Sequence, residues 1–104
     1  MIDVSTESVD TDLEEARRIA LSVLAGRPAR VYLFGSRAWG GASRRSDIDV
    51  GVLADRPLDP ALMSALREAF EESRIPFHVD VVDLGTVDEQ FRNKVVREGI
   101  EWHA

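Results

Sequence analysis

The chain has 104 residues, 44% hydrophobic and 31% charged, which is typical of one globular domain with a modest core. It has no cysteine, so disulfide frameworks, thiolate metal sites and cysteine nucleophiles are excluded. The net charge of −6 argues against direct nucleic-acid binding, because phosphate backbones are held by basic surfaces. No apolar run approaches the roughly 18 residues of a spanning helix, and the acidic amino-terminal segment is unlike a secretory signal. We therefore expect a cytoplasmic protein that does not bind membranes.

Charge is distributed unevenly along the chain. Residues 1–15 carry six acids and no base, residues 16–45 carry seven arginines and no acid, and residues 46–104 carry thirteen acids against six bases. Such blocks are most often solvated helix faces with no further role. Whether the change of sign near residue 46 has a function depends on where it falls in the fold.

The first predicted element is a helix over about residues 12–25. Its apolar residues recur at helical spacing, Thr11 and Glu14 form a capping box before them, and Gly26 can supply the C-terminal turn. A short β-rich run from Val31 to Phe34 predicts the first strand.

A glycine- and serine-rich loop follows, from Gly35 to residue 46. It has room for at most a short helix around Arg37 to Trp39. The next run, Asp47 to Leu53, alternates in the manner of a strand and predicts the second strand.

The rest of the chain predicts two helices and a third strand. A helix over about 60–73 leads to a strand from Phe77 to Val82. A second capping box, Thr86 with Glu89, begins the last helix, which Gly99 ends ahead of a short edge strand.

This order predicts an α/β fold, with one small mixed sheet and helices mainly on one face. The helical crossover between the second and third strands makes those two strands parallel. The first strand must run antiparallel to the second, because its end at Gly35 and Ser36 then meets the start of the second strand. No repeat, linker or low-complexity tract divides the sequence, so we expect a single domain over residues 1–104.

Three carboxylates are expected to meet at one end of the sheet. Asp47 and Asp49 occupy alternate positions of the second strand, which places both side chains on one face. Asp80 lies near the same end of the parallel third strand, and His78 shares its face but is expected to be an ordinary surface histidine. Carboxylates this close repel one another unless a hard cation binds them, and Mg²⁺ prefers such oxygen ligands.

The loop beside these acids has the composition of a phosphate-binding loop. Gly35 lets the backbone approach a phosphate closely, and Ser36 adds a hydroxyl donor. Arg37 and Arg45 supply forked donors beside them. The change from positive to negative charge near residue 46 therefore predicts that arginines bind a triphosphate and that aspartates bind its metal ions. Each residue alone has a simpler alternative as a turn acid, a solvent-facing strand residue or an exposed loop arginine.

Two segments together carry a family resemblance: LFGSRAWG at 33–40 and SDIDV at 46–50. The combination resembles the Gly-Ser and Asp-x-Asp signature of the DNA polymerase β-like nucleotidyltransferase superfamily. Length and spacing resemble its minimal nucleotidyltransferase branch, the antitoxins that pair with HEPN-domain toxins. The resemblance covers residues 30–83, and it implies a palm-like nucleotidyltransferase domain.

The resemblance also implies roles for the matching residues. Gly35 and Ser36 would bind the β- and γ-phosphates of ATP. Asp47 and Asp49 would hold two Mg²⁺ ions, and Asp80 would ligate one of them and serve as general base for the attacking hydroxyl.

The reaction implied by the resemblance is transfer of AMP from ATP to a tyrosine of a HEPN ribonuclease toxin, which neutralises the toxin. Two alternatives stay open: an antitoxin that inhibits by binding alone, and a nucleotidyltransferase with a small-molecule acceptor. Nucleotidyltransferases with a small-molecule acceptor grip it with an added domain, and we expect none here. We therefore expect a partner chain to complete the pocket.

Overall fold

The structure is a computed structural model that describes the backbone of residues 4–39 and 47–103, with side chains from residue 11 onward. Helices and strands follow one another along most of this length. In chain order they are α1 (Val4–Val23), β1 (Ala29–Phe34), α2 (Ser36–Trp39), β2 (Ile48–Ala54), α3 (Pro60–Glu71), β3 (Val79–Asp83), α4 (Glu89–Glu98) and β4 (Ile100–Trp102).

The strands form one mixed sheet in the order β3-β2-β1-β4. Strand β1 is antiparallel to both β2 and β4, whereas β2 and β3, joined through α3, are parallel. The predicted α/β class, the small mixed sheet and the direction of the first strand are therefore confirmed. No helix among the described residues is both long enough and apolar enough to cross a membrane.

Both faces of the sheet carry apolar side chains, because successive residues of a strand point to opposite faces and those of β1 are apolar on both. Helices α1 and α3 pack on one face, and α4 packs on the other, where Tyr32 and Phe34 of β1 form a smaller core with Leu84 and Val95. The larger core contains these buried strand residues: Val31, Leu33, Ile48, Val50, Val52, Val81 and Trp102.

The first helix begins at Val4, well before the predicted start, so the capping box of Thr11 and Glu14 is wrong. Thr11 lies inside the helix, and Glu14 forms an ion pair with Arg17 at 2.7 Å instead. Residues 4–10 contain neither glycine nor proline, so the sequence has no strong breaker that would prevent the helix from extending upstream.

The second capping box is also wrong, because Asp88 rather than Thr86 caps α4. A side-chain oxygen of Asp88 accepts a hydrogen bond from the Phe91 amide at 2.8 Å. The Thr86 hydroxyl donates to the Asp83 carbonyl at 2.8 Å and so belongs to the turn that follows β3. That turn occupies the residues which the pattern had assigned to the start of the helix.

Strand boundaries also differ by a residue or two. Strand β2 begins at Ile48, so Asp47 lies just before it. Strand β3 covers Val79–Asp83 rather than Phe77 to Val82, which makes Asp80 its second residue. These shifts leave the predicted acids at the same end of the sheet.

Candidate active site

Asp49 and Asp80 lie directly opposite each other on the parallel strands β2 and β3. Neighbouring strands are about 4.8 Å apart, and residues paired in this way project their side chains from the same face. The Ile48 amide donates to the His78 carbonyl at 2.9 Å, one step before this pair, and so helps to fix the register. Asp49 is half-buried and Asp80 is exposed.

Negative charge accumulates around Asp49. Its own partial burial raises the pKa of the Asp49 carboxyl, the charges of Asp80 and then Asp47 raise this pKa further, and nearby His78 lowers it. Asp47 is exposed immediately before β2. The three predicted carboxylates therefore interact electrostatically, although within the described ranges no group of three acidic or histidine side chains is arranged to hold a metal ion.

Gly35 joins the end of β1 to this acidic site. Its φ of +77° is one that L side chains rarely adopt. A Cβ placed on Gly35 would overlap Oδ2 of Asp49 and lie 3.1 Å from its Cγ. The turn that was predicted to bind phosphate therefore touches the carboxylate that was predicted to bind metal.

The short helix predicted around Arg37 to Trp39 is present and begins one residue earlier, at half-buried Ser36. Its backbone is closed on Gly35, whose carbonyl accepts from the Ala38 amide at 3.0 Å and the Trp39 amide at 2.9 Å. Ser36 therefore stands at the first position after the turn.

Of the two arginines predicted to bind phosphate, Arg37 lies among the described residues and Arg45 does not. The guanidinium carbon of Arg37 lies 4.6 Å from the centre of the Phe77 ring, close to the start of β3. Arg45 lies in the segment 40–46, outside the described residues. Arg37 therefore lies next to the Gly35 turn and against the residues that lead into β3, the strand that carries Asp80.

Sequence reasoning missed an aromatic cluster next to the Gly35 turn. Phe34 contacts Trp39, with ring centres 6.3 Å apart, and Phe91 of α4, with ring centres 5.6 Å apart and edge to face. The ammonium of Lys94 lies 4.5 Å from the centre of the Trp39 ring. One signal was available: Phe91 and Lys94 are three residues apart and so share a helix face.

The family model described as Polymerase beta, Nucleotidyltransferase matches residues 22–102. The chain belongs to this family. The match extends over the whole sheet and includes Gly35, Asp49 and Asp80. The resemblance drawn from the Gly-Ser and Asp-x-Asp segments is confirmed.

One curated relative of this nucleotidyltransferase-family chain is named "Probable protein adenylyltransferase MntA" and comes from Haemophilus influenzae. The two are 41% identical over 68 residues, which is 65% of this chain and 59% of the relative. The chain thus spans less than two thirds of the length of that relative.

Solved structures of the family share the fold. A solved structure described as "Structure of putative minimal nucleotidyltransferase" superposes with a TM-score of 0.70 at 31% identity, and the match covers 88% of this chain and 93% of the other. A complex of an MNT antitoxin with a tri-AMPylated HEPN toxin from Shewanella oneidensis matches with a TM-score of 0.58 at 26% identity, covering 88% and 71%.

Proposed function

We propose that this chain transfers AMP from ATP to a tyrosine of a HEPN ribonuclease toxin and is the antitoxin of that pair. The observation that carries the proposal is the Asp49 and Asp80 pair, held opposite each other beside the Gly35 turn. The name of the Haemophilus relative supports adenylyl transfer, and the AMPylated complex from Shewanella supports a HEPN partner.

The donor set suits Mg²⁺. Carboxylate oxygens are its preferred protein ligands, and one or two carboxylates together with substrate phosphates are enough to hold it. Asp49 and Asp47 would be these ligands, with Asp80 beside them. Burial raises the pKa of Asp49 most, and the charges of Asp80 and Asp47 raise it further; a bound cation would relieve this repulsion between carboxylates. Bound Mg²⁺ would neutralise the triphosphate and stabilise the departing pyrophosphate.

The other residues would bind and orient the nucleotide. In this proposal Gly35 and Ser36 contact the β- and γ-phosphates through the turn, and Arg37 and Arg45 add charge-assisted hydrogen bonds. Half-buried Arg37 already lies beside that turn.

Asp80 would be the general base in this proposal. Its carboxylate accepts the proton of the attacking tyrosine hydroxyl, whose oxygen bonds to the α-phosphorus while the bond to pyrophosphate breaks. Asp80 is exposed, as is Asp47, so the acceptor can approach from solvent. The toxin would then supply the walls that surround its own tyrosine.

The proposal places this activity in one domain over residues 1–104 and in the cytoplasm. The shared core that links α1, α3 and the sheet supports the single domain. ATP is the substrate, and a chain without cysteine suits a reducing compartment.

The intact mass of the partner toxin tests the proposal. Wild-type protein, the cognate toxin, ATP and Mg²⁺ should add one or more AMP masses to the toxin, and the double variant Asp47→Asn with Asp49→Asn should add none. Asp55→Asn, an exposed aspartate just beyond the far end of β2, is the matched control and should remain active. An unchanged toxin mass with retained neutralisation would instead establish inhibition by binding alone.

A further inference from the structure

Helix α2 has only four residues, and none of them is buried. A single helical turn of this length is unstable by itself, because nucleation costs more than so few hydrogen bonds return. It nevertheless follows Gly35 directly and continues the turn that touches Asp49. Contacts from outside α2 must therefore hold it in place.

Ala38 packs against the larger core, and two contacts between a cation and an aromatic ring support the helix from opposite sides. Arg37 and Trp39 are two positions apart, which places their side chains about 200° apart around the helix. Arg37 lies 4.6 Å from the ring centre of Phe77, ahead of β3, and the ring centre of Trp39 lies 4.5 Å from the ammonium of Lys94 on α4. Both distances fall within the range of favourable cation–π contacts.

The Trp39 ring, which contacts Lys94, is connected to the acidic site through the ring of Phe34. Trp39 contacts Phe34, and Phe34 is the direct antiparallel partner of Asp49 on β2. Trp39 is also 37% exposed, so the apolar contact with Phe34 covers only part of its ring. The cation of Lys94 therefore supplies a second support for the same side chain.

We propose that Phe77 and Lys94 are positioning residues, which hold α2 from its two sides and thereby keep the Gly35 and Ser36 turn in the geometry that binds ATP. The nucleotide part of this inference rests on the proposed function, whereas the ordering of α2 does not.

Amide hydrogen exchange of the full-length chain tests the ordering of α2. The amides of Ala38 and Trp39 both donate to the Gly35 carbonyl, so their exchange rates report whether the turn is closed. Lys94→Met and Phe77→Leu should each speed exchange at these two amides about two- to fivefold, the range expected for losing one exposed cation–π contact. The amide of Val50, in the centre of the sheet, should be unaffected.

Two control variants test whether the positive charge at position 94, rather than any exposed cation of α4, is what matters. Lys94→Arg keeps a cation and should exchange like the wild type. Arg97→Met removes a cation from an exposed position on the same helix and should also leave the Ala38 and Trp39 amides unchanged. Unchanged exchange in both Lys94→Met and Phe77→Leu would overturn the inference, with or without a nucleotide.

Calorimetric titration of the assembled toxin complex with ATP and Mg²⁺ tests the consequence. The Kd for ATP should rise about two- to fivefold in Lys94→Met and in Phe77→Leu, with recovery in Lys94→Arg. The kcat of AMP transfer, measured in a separate activity assay, should be unchanged. Faster exchange without weaker ATP binding would refute the positioning role. A wild-type complex that binds no ATP would refute both the proposed function and that role, while the exchange data would still decide whether the two side contacts order α2.

Discussion

Gly35 and Asp49 approach so closely that a methyl group on Gly35 would overlap an oxygen of the Asp49 carboxylate. The contact joins two sequence segments that are adjacent only in the fold, the end of β1 and the start of β2. Glycine is required here for a second reason as well, since the residue has a φ of +77°. The position of the turn and the position of the carboxylate therefore depend on each other.

Replacement of Gly35 should separate these two requirements. Gly35→Ala should destabilise the fold by about 1–2 kcal/mol through its positive φ, and it should also displace the Asp49 carboxylate. Gly26→Ala is the matched control, because Gly26 has a φ of +78° but open space around its Cβ position. Both variants should lose stability in urea denaturation, Gly35→Ala more than Gly26→Ala because only its Cβ overlaps a neighbour, and only Gly35→Ala should lose ATP binding, by at least about tenfold. Equal ATP affinity in the two would contradict the close approach.

Asp49 should reduce the stability of the chain when no divalent cation is present. Its folded-state pKa is raised, by burial first and then by Asp80 and Asp47, so the folded chain binds this proton more tightly than the unfolded chain. Stability should therefore fall as the pH rises through the interval between the unfolded and folded pKa of Asp49. Asp49→Asn should melt at a higher temperature than wild type at pH 7, and the gap should close in acid below the unfolded pKa. Mg²⁺ should raise the melting temperature of the wild type more than that of the variant.

A lower melting temperature for Asp49→Asn than for wild type at neutral pH, measured in a chelator, would show that the carboxylate stabilises the fold. Asp55→Asn serves as the control, because Asp55 is exposed beyond the far end of the strand.

Asp80→Asn should abolish proton acceptance and leave the nucleotide in place. The rate of AMP transfer should fall about 10²- to 10⁴-fold, as is usual when a general base is removed, with a small change in the Kd for ATP. The pKa of Asp49, followed by carboxyl carbon NMR, should also move down toward its ordinary value, because Asp80 is the neighbouring charge that raises this pKa most. Retention of the transfer rate would assign the base to another group.

The cap of the last helix gives a prediction about stability alone. Asp88→Ala should lower the free energy of unfolding by about 0.5–2 kcal/mol, since the Phe91 amide loses its acceptor. Thr86→Ala should cost less, because the Thr86 hydroxyl lies outside the helix and bonds only to the Asp83 carbonyl in the described structure. The opposite order of these effects in urea denaturation would restore the capping box that the sequence pattern indicated.

The sheet and its acidic end were predictable because local and topological rules coincide there. A short loop after Gly35 and a helical crossover before β3 set the directions of the three strands, and with β2 and β3 as neighbours Asp49 lies opposite Asp80. The spacing of Gly35-Ser36 and Asp47-x-Asp49 then adds a family signature.

The helix starts and the supports of α2 were not predictable in the same way. A capping box at Thr11 or Thr86 can be recognised from residue types and spacing alone. The actual start of a helix also depends on how far the helix extends and on which turn precedes it. The contacts of Arg37 with Phe77 and of Trp39 with Lys94 join residues far apart in the sequence. Only tertiary packing creates such pairs.

Two labelled nucleotides test directly whether the α-phosphorus of ATP is transferred to the partner protein. The assembled complex is incubated with Mg²⁺ and with ATP carrying radioactive phosphorus at either the α or the γ position, and label in the toxin is counted. We expect label in the toxin from the α position, none from the γ position, and none from either in Asp49→Asn. Label from the γ position, or no label from wild-type protein with either nucleotide, would contradict this expectation.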